Sequence, residues 1–199
     1  MELRRSRVQA GFTLVELLVT LALIGILAAW GYPALLHTMD RQRLTSAARE
    51  AAIYCQLARV EAIKHGVDTV VLYQNATTCS IHLPCLLAFL DNNGDRAYTA
   101  GTDQVIEGPW PLPNGVTLEG PAGASDKIDG WNTGATPVDG PVFANDGSAL
   151  AVGAFRFADK YGNFLETRVE FAGTGKVVIQ KNFRSDGKWY ASEDKTWEF

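Results

Sequence analysis

Glu16 is the only ionisable residue in the run Phe12 to Trp30 (FTLVELLVTLALIGILAAW), an apolar stretch long enough to span a bilayer. A charge buried in such a helix costs roughly 2.5–3.5 kcal/mol on insertion scales, so its presence calls for a compensating partner. The chemistry available to it is charge pairing. Opposite charges attract strongly in low dielectric, whereas either one alone in lipid is penalised. A second candidate reaction centre is the Gly11–Phe12 peptide bond. An ordinary secretory signal places its small-residue cleavage site after a shorter apolar region. Here the small residue precedes the apolar run. Cleavage at that bond would remove a leader carrying Arg4, Arg5 and Arg7 against Glu2, and would keep the hydrophobic segment on the mature chain. The basic leader faces the cytoplasm by the positive-inside rule, so everything after about residue 35 faces outward. An uncleaved signal anchor is the alternative, and it has the same orientation.

Gly11-Phe12-Thr13-Leu14-Val15-Glu16 closely resembles the processing site of type IV pilins and type II secretion pseudopilins. Gln56 to Gly66 (QLARVEAIKHG) resembles the end of the long helix in the GspH/FimT minor-component branch of that superfamily. The resemblance implies that prepilin peptidase cuts between Gly11 and Phe12 and that Phe12 is then N-methylated. It also implies that Glu16 neutralises the N-terminal amine of a neighbouring subunit during assembly. Gly25 and Pro33 fall where pilins commonly carry a helix-weakening glycine and proline. Proline removes a backbone donor and clashes with the preceding turn, so a kink or local melting near Pro33 is expected. The implied partners are other pilin or pseudopilin subunits through the N-terminal helix, prepilin peptidase and an inner-membrane assembly platform. The implied location is a single-pass inner-membrane protein with a periplasmic C-terminal domain, which then enters a pilus or pseudopilus.

The elements that position these residues follow from periodicity. After the leader (1–11) and a transmembrane segment (12–36), residues 37–66 read as an amphipathic continuation of the same helix. Leu44, Ala47, Ala51, Tyr54 or Cys55, Ala58 and Ala62 recur at three- and four-residue steps, with Arg43, Arg49, Glu50 and Arg59 mostly off the stripe. Gly66 is the helix stop. Residues 67–199 form a β-rich head. Val67 to Tyr73 and Cys79 to Leu90 suggest a hairpin, followed by strands at Gly115 to Glu119, Pro141 to Phe143, Gly153 to Ala158, Leu165 to Phe171 and Lys176 to Asn182. Glu107 to Leu118, with three prolines, reads as a rigid connector entering a strand, and Asn145 to Ser148 as a turn. The fold class is α+β: a long N-terminal transmembrane and amphipathic helix packed on an antiparallel β-sheet head, as in pilins.

Other residue clusters carry weaker chemistry. Cys79 and Cys85 bracket a five-residue segment containing Pro84, so a small disulfide loop is the favoured pairing. A bridge from Cys55 to one of them, or three reduced thiols, are the alternatives. His82 lies between the two cysteines, but no fourth ligand is evident, and no metal or other cofactor is expected. Asp91-Asn-Asn-Gly-Asp95 alternates oxygen ligands as calcium loops do, yet Arg96 stands where such a loop needs glycine and Thr102 where it needs glutamate. A solvated turn is the plainer reading. No catalytic triad or paired-carboxylate arrangement stands out, and His37, His65 and His82 are scattered, so no enzymatic activity is expected.

Charge bears on the partner. The chain has 18 Lys/Arg and 22 Asp/Glu; three of each lie at or before Asp40, leaving 15 against 19 in the external part. That balance lacks the broad basic footprint of a nucleic-acid binder. The favoured role is a structural minor subunit of a type IV pilus or type II secretion pseudopilus. The alternative, implied by FimT-branch proteins with a basic Gly-Arg-x-Arg segment, is DNA uptake in natural transformation. Here the corresponding stretch is Thr174-Gly-Lys-Val-Val178, so the candidate DNA contacts are Lys176 with Lys181 and Arg184. Trp189 to Phe199 reads as an extra strand or as an aromatic contact to a neighbouring subunit.

Overall fold

The computed structural model describes residues 12–131, 138–183 and 188–191. A single 52-residue helix, α1 (Leu14–His65), leads into the strands β1 (Thr69–Gln74), β2 (Cys85–Leu90), β3 (Gln104–Pro111), β4 (Val116–Leu118), β5 (Ile128–Asp129), β6 (Val142–Phe143), β7 (Gly153–Asp159), β8 (Phe164–Phe171), β9 (Lys176–Phe183) and β10 (Lys188–Ala191). The chain divides into two compact units, Met1–Met39 and Asp40–Phe199.

In the first unit, every side chain from Phe12 to Trp30 is exposed. A helix whose apolar residues face outward all round is one built for lipid or for other helices. Among the described residues, α1 is the one helix long and apolar enough to cross a membrane. Its helical backbone continues through Gly25 and Pro33, so Pro33 does not melt it. Loss of one backbone bond is a local defect when the turns on either side keep theirs.

In the second unit, the rest of α1 supplies one wall of the core. Leu44, Ala47, Ala48, Ala51, Cys55, Ala58 and Ala62 are fully buried, and Tyr54 nearly so. They meet Val71, Leu86 and Ala88 from one sheet and Phe155, Phe157, Leu165 and Val169 from the other. The alanines bring the helix backbone close to the strands. Two buried threonines use that proximity: Thr69 Oγ1 donates to the Ala58 carbonyl at 2.9 Å, and Thr167 Oγ1 to the Ala48 carbonyl at 2.7 Å. The helix ends at Gly66, whose φ of +67° suits a residue without Cβ and whose N–H reaches the Ala62 carbonyl at 2.9 Å.

The strands form two antiparallel sheets. One has the order β3-β2-β1-β6; the other runs β10-β9-β8-β7-β4, with β5 also paired to β7. β2 is buried along its whole length, which explains its uninterrupted apolar sequence CLLAFL. Leu86 and Ala88 face the helix, while Leu87 and Phe89 join Val70, Val138 and Val142 in a smaller cluster on the other face.

Two expectations from the sequence are corrected here. The stretch read as a rigid connector is largely a strand: β3 runs through Pro109 to Pro111 and pairs Trp110 with Leu86. It is the edge of its sheet, where a residue without an N–H is tolerated. The second arm of the hairpin begins at Cys85, six residues later than expected. Asn75 draws the preceding residues into a turn, its side-chain oxygen accepting the N–H groups of Thr77 and Thr78 at 2.9 and 3.0 Å.

Candidate functional site

The first helical turn is organised by Thr13. Its side-chain oxygen accepts the backbone N–H of Glu16 at 3.2 Å, and its carbonyl accepts that of Leu17 at 3.2 Å. Thr13-x-x-Glu16 therefore has the spacing of a capping box, which fixes where the helix begins. Glu16 also lies in the first turn, where the helix dipole favours a negative charge. Phe12, just outside the helix, is 84% exposed. Phe12 and Glu16 are thus four residues apart at a defined, outward-facing helix start, accessible to an enzyme or a neighbouring subunit. The three-residue spacing of Thr13 to Glu16 carries this cap in the sequence itself. Gly11 and the leader lie outside the described residues. At Gly25 a Cβ would meet nothing within 4 Å, so no neighbour in the chain itself requires a glycine there.

In the head, Cys79 and Cys85 are joined by a disulfide with Cα atoms 6.3 Å apart. Cys55 is free and fully buried, and burial pushes its thiol pKa up to about 12, which keeps it protonated and unreactive. His82 sits in the turn between the bridged cysteines, with φ +56°, rather than on a strand. The Asp-Asn loop is closed by its own backbone. Asp91 accepts the N–H groups of Gly94 and Arg96 at 2.8 and 3.0 Å, and Asp103 those of Asn92 and Thr99 at 3.0 and 2.7 Å. Both carboxylates are buried and act as turn acceptors.

The three candidate DNA contacts do not assemble into one described patch. Lys176, at the start of β9, is ion-paired with Glu170 at 2.9 Å. Lys181, near the other end of that strand, is half-buried, and burial lowers its pKa from the usual lysine value. Arg184 lies outside the described residues.

Sequence reading missed two polar anchors, one buried and one half-buried. Glu166 has no exposed surface and receives Arg156 Nε at 3.1 Å and Arg168 Nη1 at 3.3 Å. Burial raises its pKa despite the two guanidinium groups. Arg156 also contacts Asp126 and Asp129, and its guanidinium lies 5.3 Å from the centre of the Trp189 ring. Trp189 thereby has a place within the head, on β10. The second anchor is Arg59, whose Nε donates to the Gly147 carbonyl at 2.9 Å and ties the helix to the Asn145–Ser148 turn. Neither anchor has a local signature: Arg156 meets Glu166 only through the pairing of β7 with β8, and Arg59 and Gly147 lie 88 residues apart.

A family profile described as the prokaryotic N-terminal methylation motif matches residues 6–32. The match covers Gly11, Phe12, Glu16 and Gly25, and it supports a type IV pilin-like protein processed by prepilin peptidase. No curated protein and no solved structure matches the chain.

Proposed function

We propose that this chain is a minor pilin or pseudopilin of the GspH/FimT kind, a structural subunit in the assembly of a type IV pilus or type II secretion pseudopilus. Prepilin peptidase removes residues 1–11, and the new α-amino group of Phe12 is methylated. Glu16 of one subunit then pairs with the N-terminal amine of its neighbour. The pairing rewards transfer from lipid into filament, because it compensates two charges that bilayer separately penalises. Gly25 and Pro33 are the weak points at which this helix would kink. The chain acts by packing and not by catalysis.

The observation that carries this reading is the methylation motif, laid on an outward-facing apolar run, Phe12 to Trp30, whose single carboxylate lies four residues beyond Phe12. The fine assignment to a minor subunit rests on the Gln56 to Gly66 resemblance together with the long-helix-on-sheet head. Intact-mass measurement of the chain co-produced with a prepilin peptidase tests the processing step. The expected product begins at methylated Phe12, and Gly11→Val is expected to retain the leader. A mature chain starting at Phe12 in that variant would overturn the assignment. The minor role is checked by stoichiometry: in isolated filaments the chain should be far less abundant than the principal subunit.

A further inference from the structure

Arg96 holds a backbone position that glycine more often fills. Its φ of +60° lies in the left-handed region, uncommon for a residue with a long side chain. A backbone outlier of this kind calls for a use of its side chain. The loop itself does not supply one. Asp91 Oδ2 accepts the backbone N–H of Arg96 at 3.0 Å, and its other oxygen accepts that of Gly94 at 2.8 Å. The Asp95 carboxylate accepts the Ala97 N–H and Asn93 Nδ2, both at 2.8 Å. These acids are occupied by the turn, and among the described residues the Arg96 guanidinium has no ion-pair partner.

Arg96 lines an open depression of about 430 Å³ beside β1, the turn after it, and residues 138–139. Small-molecule sites typically have volumes of roughly 300–1,000 Å³. Lys127 is the second cation of the wall, its Nζ 5.0 Å from the centre of the Tyr73 ring. Asp139 is the lining acid, and among the described residues neither it nor Lys127 is ion-paired. Burial, then the Asp139 charge, raises the Tyr73 pKa, so its hydroxyl stays neutral. Residues 132–137, which connect Trp131 to Val138, include no ionisable side chain. The wall therefore carries one net positive charge. Gln74, Asn75 and Thr78 add amide and hydroxyl groups to it, beside apolar Leu72 and Val138.

We propose that this depression binds a uronic acid, a sugar ring carrying one carboxylate, free or at the end of an acidic polysaccharide. Arg96 and Lys127 take the carboxylate, and Gln74, Thr78 and Asp139 take ring hydroxyls. The charge balance selects a monoanion. A phosphate dianion would leave one negative charge unmatched beside Asp139, and a zwitterion would bring its ammonium among two cations. A fatty acid would leave the amide and hydroxyl groups of the wall without partners, at a cost in affinity. The apolar face of a sugar ring instead suits Leu72 and Val138, while its edge suits the polar groups. Every lining residue belongs to the unit Asp40–Phe199, so the site is independent of the spanning segment and of the assembly role proposed above.

The test uses the full-length chain in phosphatidylcholine nanodiscs. A membrane-impermeant amine reagent with mass-spectrometric readout gives the modification rate at each lysine. Galacturonate at about 10 mM should slow Lys127 about threefold or more, as a millimolar site requires, while Lys176 keeps its rate. Galactose and acetate, each of which supplies half of the ligand, should protect far less at the same concentration. Arg96→Asn removes the guanidinium, and asparagine tolerates the left-handed backbone. Galacturonate should then leave Lys127 unprotected, and unchanged ligand-free rates at Lys160 and Lys176 would show that the variant is folded. Equal Lys127 rates with and without galacturonate would overturn the proposal, as would full protection in the Arg96→Asn variant. Equal protection by acetate or galactose would also overturn it, since one half of the ligand would then suffice. Stronger protection by inorganic phosphate or a short oligonucleotide would do the same and assign the depression to phosphate groups.

Discussion

Replacing Glu16 by alanine separates insertion from assembly. The substitution removes the one charge of the apolar run, so partition into the bilayer should be at least as favourable as before. Incorporation into filaments should fall sharply if, as proposed, Glu16 is the counter-charge of a neighbour's amine. Membrane fractionation and immunodetection of sheared filaments read the two steps independently, and normal incorporation would remove the assembly role from Glu16. The motif around this residue is legible in sequence because it is local: a glycine, an aromatic residue and a carboxylate within a few positions. The Arg156–Glu166 pair is equally chemical but was not legible. Its members are joined by cross-strand register between β7 and β8, and only the paired sheet makes them neighbours.

At the scale of elements, the junction between α1 and the sheets depends on small side chains and on hydroxyl groups that reach past them. Alanines at three- and four-residue steps announced the buried stripe, since helical periodicity is written directly in the sequence. The threonine contacts were silent, because Thr69 and Thr167 look like ordinary strand residues. Thr167→Val keeps the shape and β-propensity of the side chain but removes the donor to the Ala48 carbonyl. That carbonyl sits within a helix, so the variant tests the extra bond and not the helix itself. The expected loss is about 1 kcal/mol, a typical net value for one intramolecular hydrogen bond. It should appear as a lower urea midpoint with an unchanged slope. An unchanged midpoint would mean that packing alone holds the helix to the sheet. The prolines of β3 illustrate the opposite difficulty. They argued for a connector, and only the position of β3 at the sheet edge reconciles Pro109 and Pro111 with strand pairing.

For the whole molecule, the informative boundary is the one between Met39 and Asp40, inside a continuous helix. Reading elements along the chain sets helix apart from strands near residue 66, whereas packing joins the second half of α1 to the sheets. Leu44 has no exposed surface, and Asp40 holds Arg43 and Lys160. A fragment beginning at Asp40 should therefore unfold in one cooperative transition, since it retains the entire described core cluster. A fragment beginning at Ser46 lacks Leu44 and the Asp40 ion pairs. Removal of one large buried side chain alone costs roughly 2–5 kcal/mol, so its urea midpoint should lie well below that of the longer fragment. Asp40 adds a pH signature. Its carboxyl is held below its ordinary range, first by the Lys160 hydrogen bond, so its stabilising effect is present above the unfolded value of 3.8 and is lost as pH falls through the folded one. The longer fragment should consequently lose part of its advantage in acid. Identical midpoints for the two fragments at neutral pH would place the start of the folded head beyond residue 45 and leave the first turns of this helical segment without a share in the core.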